Sequence, residues 1–172
     1  MASFREVESE EPEFAGRVRA AFDAHGHKIL ATLRPDGSPR VSGIETRFLD
    51  GELWLAGMPR SLKFDDLRRD PRMALHSGSD EPDVFRADGK VSGRAIQVIE
   101  PAGLARYARA AEVPEELGDF ELFRIDLDQV VLTAVADDRS GLSSPRGARG
   151  GGCGRPPGRD GRTGPRASLR RD

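Results

Sequence analysis

The chain is poor in the residues that build disulfides, metal centres and membrane spans. Its one cysteine is Cys153, so it carries neither a disulfide framework nor a cysteine metal cluster. The histidines, His25, His27 and His76, stand at no metal-ligand spacing with carboxylates. No Ser/His/Asp or Cys/His pattern for nucleophilic catalysis is visible. No apolar run approaches the roughly 20 residues of a membrane helix. The opening MASFREVESEEPEF lacks the basic and apolar regions of a secretion signal. A cytoplasmic protein with no membrane partner is the expectation.

Charge is unevenly spread. The whole chain of 172 residues has a formal net charge of −2. From Ser140 to Asp172 there are eight Arg and two Asp, a charge of +6, which leaves −8 on the first 139 residues. An acidic body argues against a nucleic-acid partner, because phosphate contact needs a basic face. The last 33 residues also hold nine Gly and four Pro, with no Ile, Val or aromatic residue. Such a segment buries too little apolar surface to offset its ordering entropy. Residues 1–139 therefore read as one domain, and 140–172 as a disordered Gly/Arg/Pro-rich tail.

What is present within 1–139 is a series of short strand patterns. Phe14, Val18 and Phe22 predict a helix over 9–24, with Pro12 in its first turn. Strands follow at 28–34, 40–49 and 52–56, joined by Pro35-Asp36-Gly37 and Asp50-Gly51, both strong turn signals. A short basic helix covers 61–69 and ends before Pro71. Further strands are expected at 72–77, 90–99, 120–127 and 130–135, with a helix from Pro101 to about Ala111. Sequence-adjacent strands joined by tight turns favour a mainly β, antiparallel sheet curled into a barrel, with short helices.

One place in this series suggests chemistry. The helix after the third strand opens with Ser61 and Lys63. A helix N-terminus offers unpaired N–H groups and partial positive charge, and is a ready anion site. Lys63 is misplaced for the helix dipole there, a cost that a bound anion would remove. Simpler roles exist beside this one. Ser61 suits an N-cap whatever it faces. Arg40 can be a solvated strand-start residue. Arg68 and Arg69 complement the C-terminal dipole, while Trp54 and His76 are most simply packing residues, Trp54 at a dimer interface or against the end of the barrel.

The ordered series of the PDG turn, Pro39-Arg40-Val41-Ser42, LWLAGMP, S-x-K, LRRDPR and ALHS resembles the pyridoxamine 5′-phosphate oxidase-like family over about residues 14–139. More narrowly it is similar to the actinobacterial flavin- and deazaflavin-dependent reductases. The resemblance implies an FMN-binding split β-barrel, a homodimer, and FMN or F420 in a groove at the dimer interface. It places the cofactor phosphate on Arg40, Ser61 and Lys63, with Arg60 and Arg69 as further candidate contacts. It places the ring of the cofactor along Ser42, Leu55, Ala56 and Gly57. The LRRDPR helix end leans toward F420. The implied activity is that of an oxidoreductase moving hydride to or from a small organic substrate. No protein acid-base residue is then required, since the cofactor carries the chemistry. The alternative is a non-catalytic flavin- or haem-binding carrier or sensor on the same barrel.

Two departures stand out. The helix opens Ser61-Leu62-Lys63 where pyridoxamine phosphate oxidases proper have S-R-K, and their arginine-rich C-terminal substrate segment has no counterpart here. Oxidation of pyridoxamine phosphate itself is therefore disfavoured. The tail after about Ser140 has the Gly/Arg/Pro/Ala composition that GC-rich DNA yields when read out of frame, and a frameshift there is the hypothesis, which an intact in-frame coding sequence would refute.

Overall fold

The computed structural model describes residues 2–79, 87–114, 116, 118–135, 142–143 and 146–149. Two helices, α1 (Phe4–Glu10) and α2 (Pro12–Asp23), precede the first strands β1 (Lys28–Leu33), β2 (Pro39–Leu49) and β3 (Glu52–Gly57). Then come α3 (Leu62–Arg69), β4 (Arg72–His76), β5 (Ala87–Val98), α4 (Pro101–Ala110) and the long β6 (Glu121–Val135). Strand order is β3-β2-β1-β4-β5-β6, and β3 also pairs β6. All pairings are antiparallel, so the six strands close into a barrel with no free edge along that path. The expected mainly β barrel with short helices is what the chain forms.

Turn chemistry sets the register. In the first hairpin Gly37 takes φ 82°, and the Asp36 carboxylate accepts from the Ser38 N–H at 2.9 Å and the Ser38 hydroxyl at 2.7 Å. In the second, Asp50 and Gly51 both have positive φ, 55° and 74°, the primed-turn geometry that suits twisted strands. The first hairpin aligns Thr32 with Arg40 and Leu30 with Ser42. The faces alternate: Leu30 and Thr32 are buried, whereas Ile29 is exposed.

The barrel interior is filled by Leu30, Ile44, Leu53, Leu55, Leu75, Phe123 and Ile125, among others. One end is closed by Phe4 and Phe22 against Phe48, at ring separations of 4.4 and 5.6 Å. Helix α3 is anchored to this core by Phe64, stacked on Phe123 at 4.9 Å. Helix α4 covers a second small core of Trp54, Tyr107, Ala111 and Leu122. Trp54 thus packs beneath α4 within the single chain, where it is 5 % exposed.

The structure differs from the sequence reading at three places. The helix expected over 9–24 is α2, and a separate helix α1 precedes it, the two parted at Glu11 because a residue before proline is pushed out of the α region. The expected strands 120–127 and 130–135 are one strand, and the polar Asp128-Gln129 pair is not a turn. Ser92 pairs Gln129 while Gly93 pairs Leu127, so Asp128 is the extra residue of a β-bulge. In the tail, Leu142–Ser143 and Arg146–Arg149 form short strands on β6 instead of being disordered. The rest of the expected disordered tail lies outside the described residues.

Candidate functional site

An open groove of about 490 Å³ runs along the outer side of the barrel. Its floor is the outward face of β2, with Gly43, Glu45 and Arg47, and the end of β3, with Ala56, Gly57 and Met58. Lys63 from the first turn of α3 borders it, and Tyr107, Ala111 and Val113 of the α4 region form the opposite wall. His27, Glu112 and Asp119 add polar groups to the rim. Burial pushes the Tyr107 phenol up from its ordinary pKa, so it stays protonated at neutral pH.

The N-terminus of α3 is built for something other than itself. Ser61 occupies the N-cap position with φ −79° and ψ 138°, and its carbonyl accepts from the Phe64 and Asp65 N–H groups at 2.9 and 3.1 Å. Its side chain makes no capping bond. The Ser61 Oγ is nevertheless buried and has no hydrogen-bond partner. A buried hydroxyl left unpaired costs about 1–3 kcal/mol, which a helix would ordinarily avoid by capping with it. The N–H groups of Leu62 and Lys63 open the same turn, where no helix carbonyl reaches them. Lys63 has no carboxylate partner among the described residues; its Nζ sits 5.4 Å from the Phe64 ring centroid. The approach to this turn is fixed by Glu121, whose Oε1 accepts from the Arg60 N–H at 2.9 Å and whose Oε2 pairs with Arg68. Arg60 takes φ 62° there.

Behind the helix lies a group that the sequence reading did not single out. The Asp66 carboxylate is 2 % exposed. Its Oδ2 accepts from Arg40 Nε at 2.6 Å and from Thr32 Oγ1 at 2.9 Å, and its Oδ1 lies 3.3 Å from both terminal nitrogens of Arg69. Burial alone would raise its pKa, but the bonds from Arg40, Thr32 and Arg69 and the charge of Arg40 outweigh it and hold the carboxyl below its ordinary value. Leu62 is exposed, whereas Asp66 is buried with Phe64 and Leu67. The signal that could have found it was an inward Thr32 opposite Arg40 across the PDG hairpin, a polar pair that needs a partner from above.

The expected site residues are thus divided among four places. Ala56, Gly57 and Lys63 line the groove. Ser61 stands at the helix N-terminus beside Lys63. Arg40 and Ser42 lie on the inward face of β2, opposite Thr32 and Leu30, and Arg40 is tied by Nε to Asp66. Leu55 has no exposed surface and belongs to the core. Arg69 is occupied by Asp66 and by the Leu33 carbonyl.

A closed six-stranded antiparallel barrel with a helix N-terminus beside an outer groove defines the split-barrel class of flavin-binding fold. The sequence profile described as pyridoxamine 5′-phosphate oxidase matches residues 14–134, and the chain belongs to that family in its broad, oxidase-like sense. Among solved structures it is similar to a putative pyridoxamine 5′-phosphate oxidase from Listeria innocua, at 18% identity and TM-score 0.54, covering 69% of this chain and 96% of that one. It is similar to a haem binding protein from Mycobacterium smegmatis at 20% identity and TM-score 0.56, covering 85% and 59%. It is also similar to an F420 reductase at 19% identity and TM-score 0.51, covering 66% and 94%. At these identities the likeness establishes the fold. No curated protein sequence matches the chain. No described helix is long and apolar enough to cross a membrane, and no described cluster of His, Cys, Asp or Glu could hold a metal ion.

Proposed function

We propose that the protein is an oxidoreductase that binds FMN or F420 and moves hydride to or from a small organic substrate. The observation that carries this reading is the Ser61 hydroxyl, buried and unpartnered at the N-terminus of α3, two residues from a lysine that borders the groove. A phosphate seated there would accept from Ser61 Oγ and from the first-turn N–H groups, and would meet the Lys63 ammonium. Gly57 and Ala56 would then lie along the ring of the cofactor. The bound flavin or deazaflavin supplies the hydride chemistry. The chain supplies the cradle, the groove wall at Tyr107 and the polar rim that receives a substrate. The existence of an F420 reductase on the same fold supports the assignment.

We also propose that the active form is a homodimer. Val41 on β2 is 70 % exposed and Ile29 on the neighbouring β1 is 47 % exposed, an apolar outer surface that a second copy would cover. Sedimentation of the purified chain at two concentrations measures this, and a monomer at micromolar concentration would refute it.

Titration of the purified protein with FMN and with F420, followed by absorbance and fluorescence, tests the cofactor. Lys63→Ala should weaken whichever one binds by about tenfold. Unchanged affinity would reject the phosphate site. Turnover with an artificial acceptor separates an oxidoreductase from a carrier. A haem carrier is the second reading, with His27 as the histidine on the groove wall; a Soret band that shifts in His27→Ala would establish it.

A further inference from the structure

We propose that Asp66 is a positioning residue for the cofactor phosphate, holding Arg40 by its Nε so that the two terminal guanidinium nitrogens are left for the anion. This rests on the function proposed above and names one more part of the same site.

Three observations carry it. First, the Arg40 Nη atoms make no hydrogen bond among the described residues, although Nε is firmly bound and the side chain is only 19 % exposed. A guanidinium placed only to dock α3 would gain most from a bidentate pair, using two nitrogens on two oxygens. Here the carboxylate is divided between two arginines and a threonine instead. Second, one carboxylate shared by Arg40 of β2 and Arg69 of α3 leaves a net positive charge on this group, against the helix that also carries Lys63. Buried ion pairs add little stability compared with apolar packing, and an unbalanced one adds less. The surplus has a use if an anion completes it. Third, Asp66 lies five residues beyond Ser61, roughly 7.5 Å along the helix axis, and side chains on a helix lean toward its N-terminal turn. Thr32 sits directly opposite Arg40 in the hairpin register and donates to the same Asp66 oxygen, so it orients the carboxylate that orients the arginine.

The test compares ligands with and without the phosphate. FMN and riboflavin form one pair; F420 and its phosphate-free deazaflavin chromophore form the other. Dissociation constants are measured on the full chain by fluorescence. In the unmodified protein the phosphate-bearing member of at least one pair should bind more tightly. Asp66→Asn should lower its affinity about tenfold and leave the phosphate-free member nearly unchanged. The sign is informative. Removing a negative charge should, by Coulomb attraction alone, strengthen anion binding. A loss therefore reports lost positioning, while a gain or an unchanged ratio overturns the proposal. Thr32→Val should shift the ratio the same way by about threefold, and decides the matter if Asp66→Asn does not fold. If the unmodified protein binds neither phosphate-bearing ligand more tightly than its partner, the proposed function fails at its phosphate site and this inference falls with it.

Discussion

Arg40 Nε donates to Asp66 Oδ2 at 2.6 Å, which ties the start of β2 to the middle of α3 across 26 residues of sequence. The bond has a consequence for acid stability. Asp66 is held below its ordinary pKa in the folded state, so the folded protein favours its charged form. That contribution is fully present above the unfolded carboxylate value of about 3.9 and is lost as pH falls through the lower folded value. Urea denaturation of the unmodified protein and of Asp66→Ala, from pH 7 down to pH 2, should show this. At pH 7 the variant should be less stable by about 3–5 kcal/mol, the usual result of leaving a buried partner uncompensated. The gap should narrow steadily below pH 4. A gap independent of pH would assign the loss to the cavity rather than to the charge.

Ser61 should separate stability from binding. Replacing a serine that caps a helix ordinarily costs about 0.5–2 kcal/mol. The Ser61 hydroxyl caps nothing and is buried without a partner, so Ser61→Ala should lose no stability and should gain about 1 kcal/mol as the unpaired group is removed. Its affinity for the phosphate-bearing cofactor should nevertheless fall several-fold. A drop in melting temperature typical of a lost cap would show that the hydroxyl serves the helix.

The barrel was legible because its signals are local. Pro35-Asp36-Gly37 and Asp50-Gly51 mark two hairpins, each read from a few adjacent residues. The N-terminus of α3 was legible for the same reason, since Ser61 and Lys63 are neighbours in sequence. Asp66 was not, because its meaning depends on Thr32 and Arg40, which come from a hairpin more than twenty residues earlier. Asp128-Gln129 looked like a turn because polar pairs between apolar runs usually are one. Only the partner strand, with Gly93 opposite the bulge, shows that the polarity was absorbed without a break. Trp54 was ambiguous because it stands on the outer face of β3, and what covers that face is decided by α4, about fifty residues away.

Gly93 should be intolerant of any side chain. It lies on β5 where the register shifts, and a Cβ there would stand 2.1 Å from the Asp126 carbonyl oxygen. A backbone atom of the neighbouring strand cannot turn aside as a long side chain can. Gly93→Ala should therefore cost about 3 kcal/mol or more, and should disturb the β5–β6 ladder on which the barrel closes. Gly16, where an added methyl would meet nothing within 4 Å, is the control. It lies inside α2, so Gly16→Ala should stabilise the protein by roughly 0.5–1 kcal/mol. Thermal unfolding by circular dichroism ranks the two, and similar midpoints would refute the assignment of the bulge.

Trp54 should affect the groove without affecting phosphate selectivity. Its indole N–H donates to the Leu49 carbonyl at 3.2 Å, and its ring lies 5.7 Å from that of Tyr107. Tyr107 and Ala111 belong both to this small core and to the groove wall. Trp54→Ala removes the floor on which α4 rests and should cost about 3–5 kcal/mol. With α4 loosened, the wall at Tyr107 is no longer held, and ring contacts on that side weaken for any ligand. FMN and riboflavin should therefore lose affinity by the same factor, leaving their ratio unchanged, whereas Asp66→Asn should change the ratio itself. Trp54→Phe, which keeps the aromatic contact but loses the bond to Leu49, should restore most of the affinity. If Trp54→Ala altered the ratio as strongly as Asp66→Asn, the phosphate cradle and the ring wall would be one coupled unit, and the separation between α3 and α4 argued from their two cores would not hold.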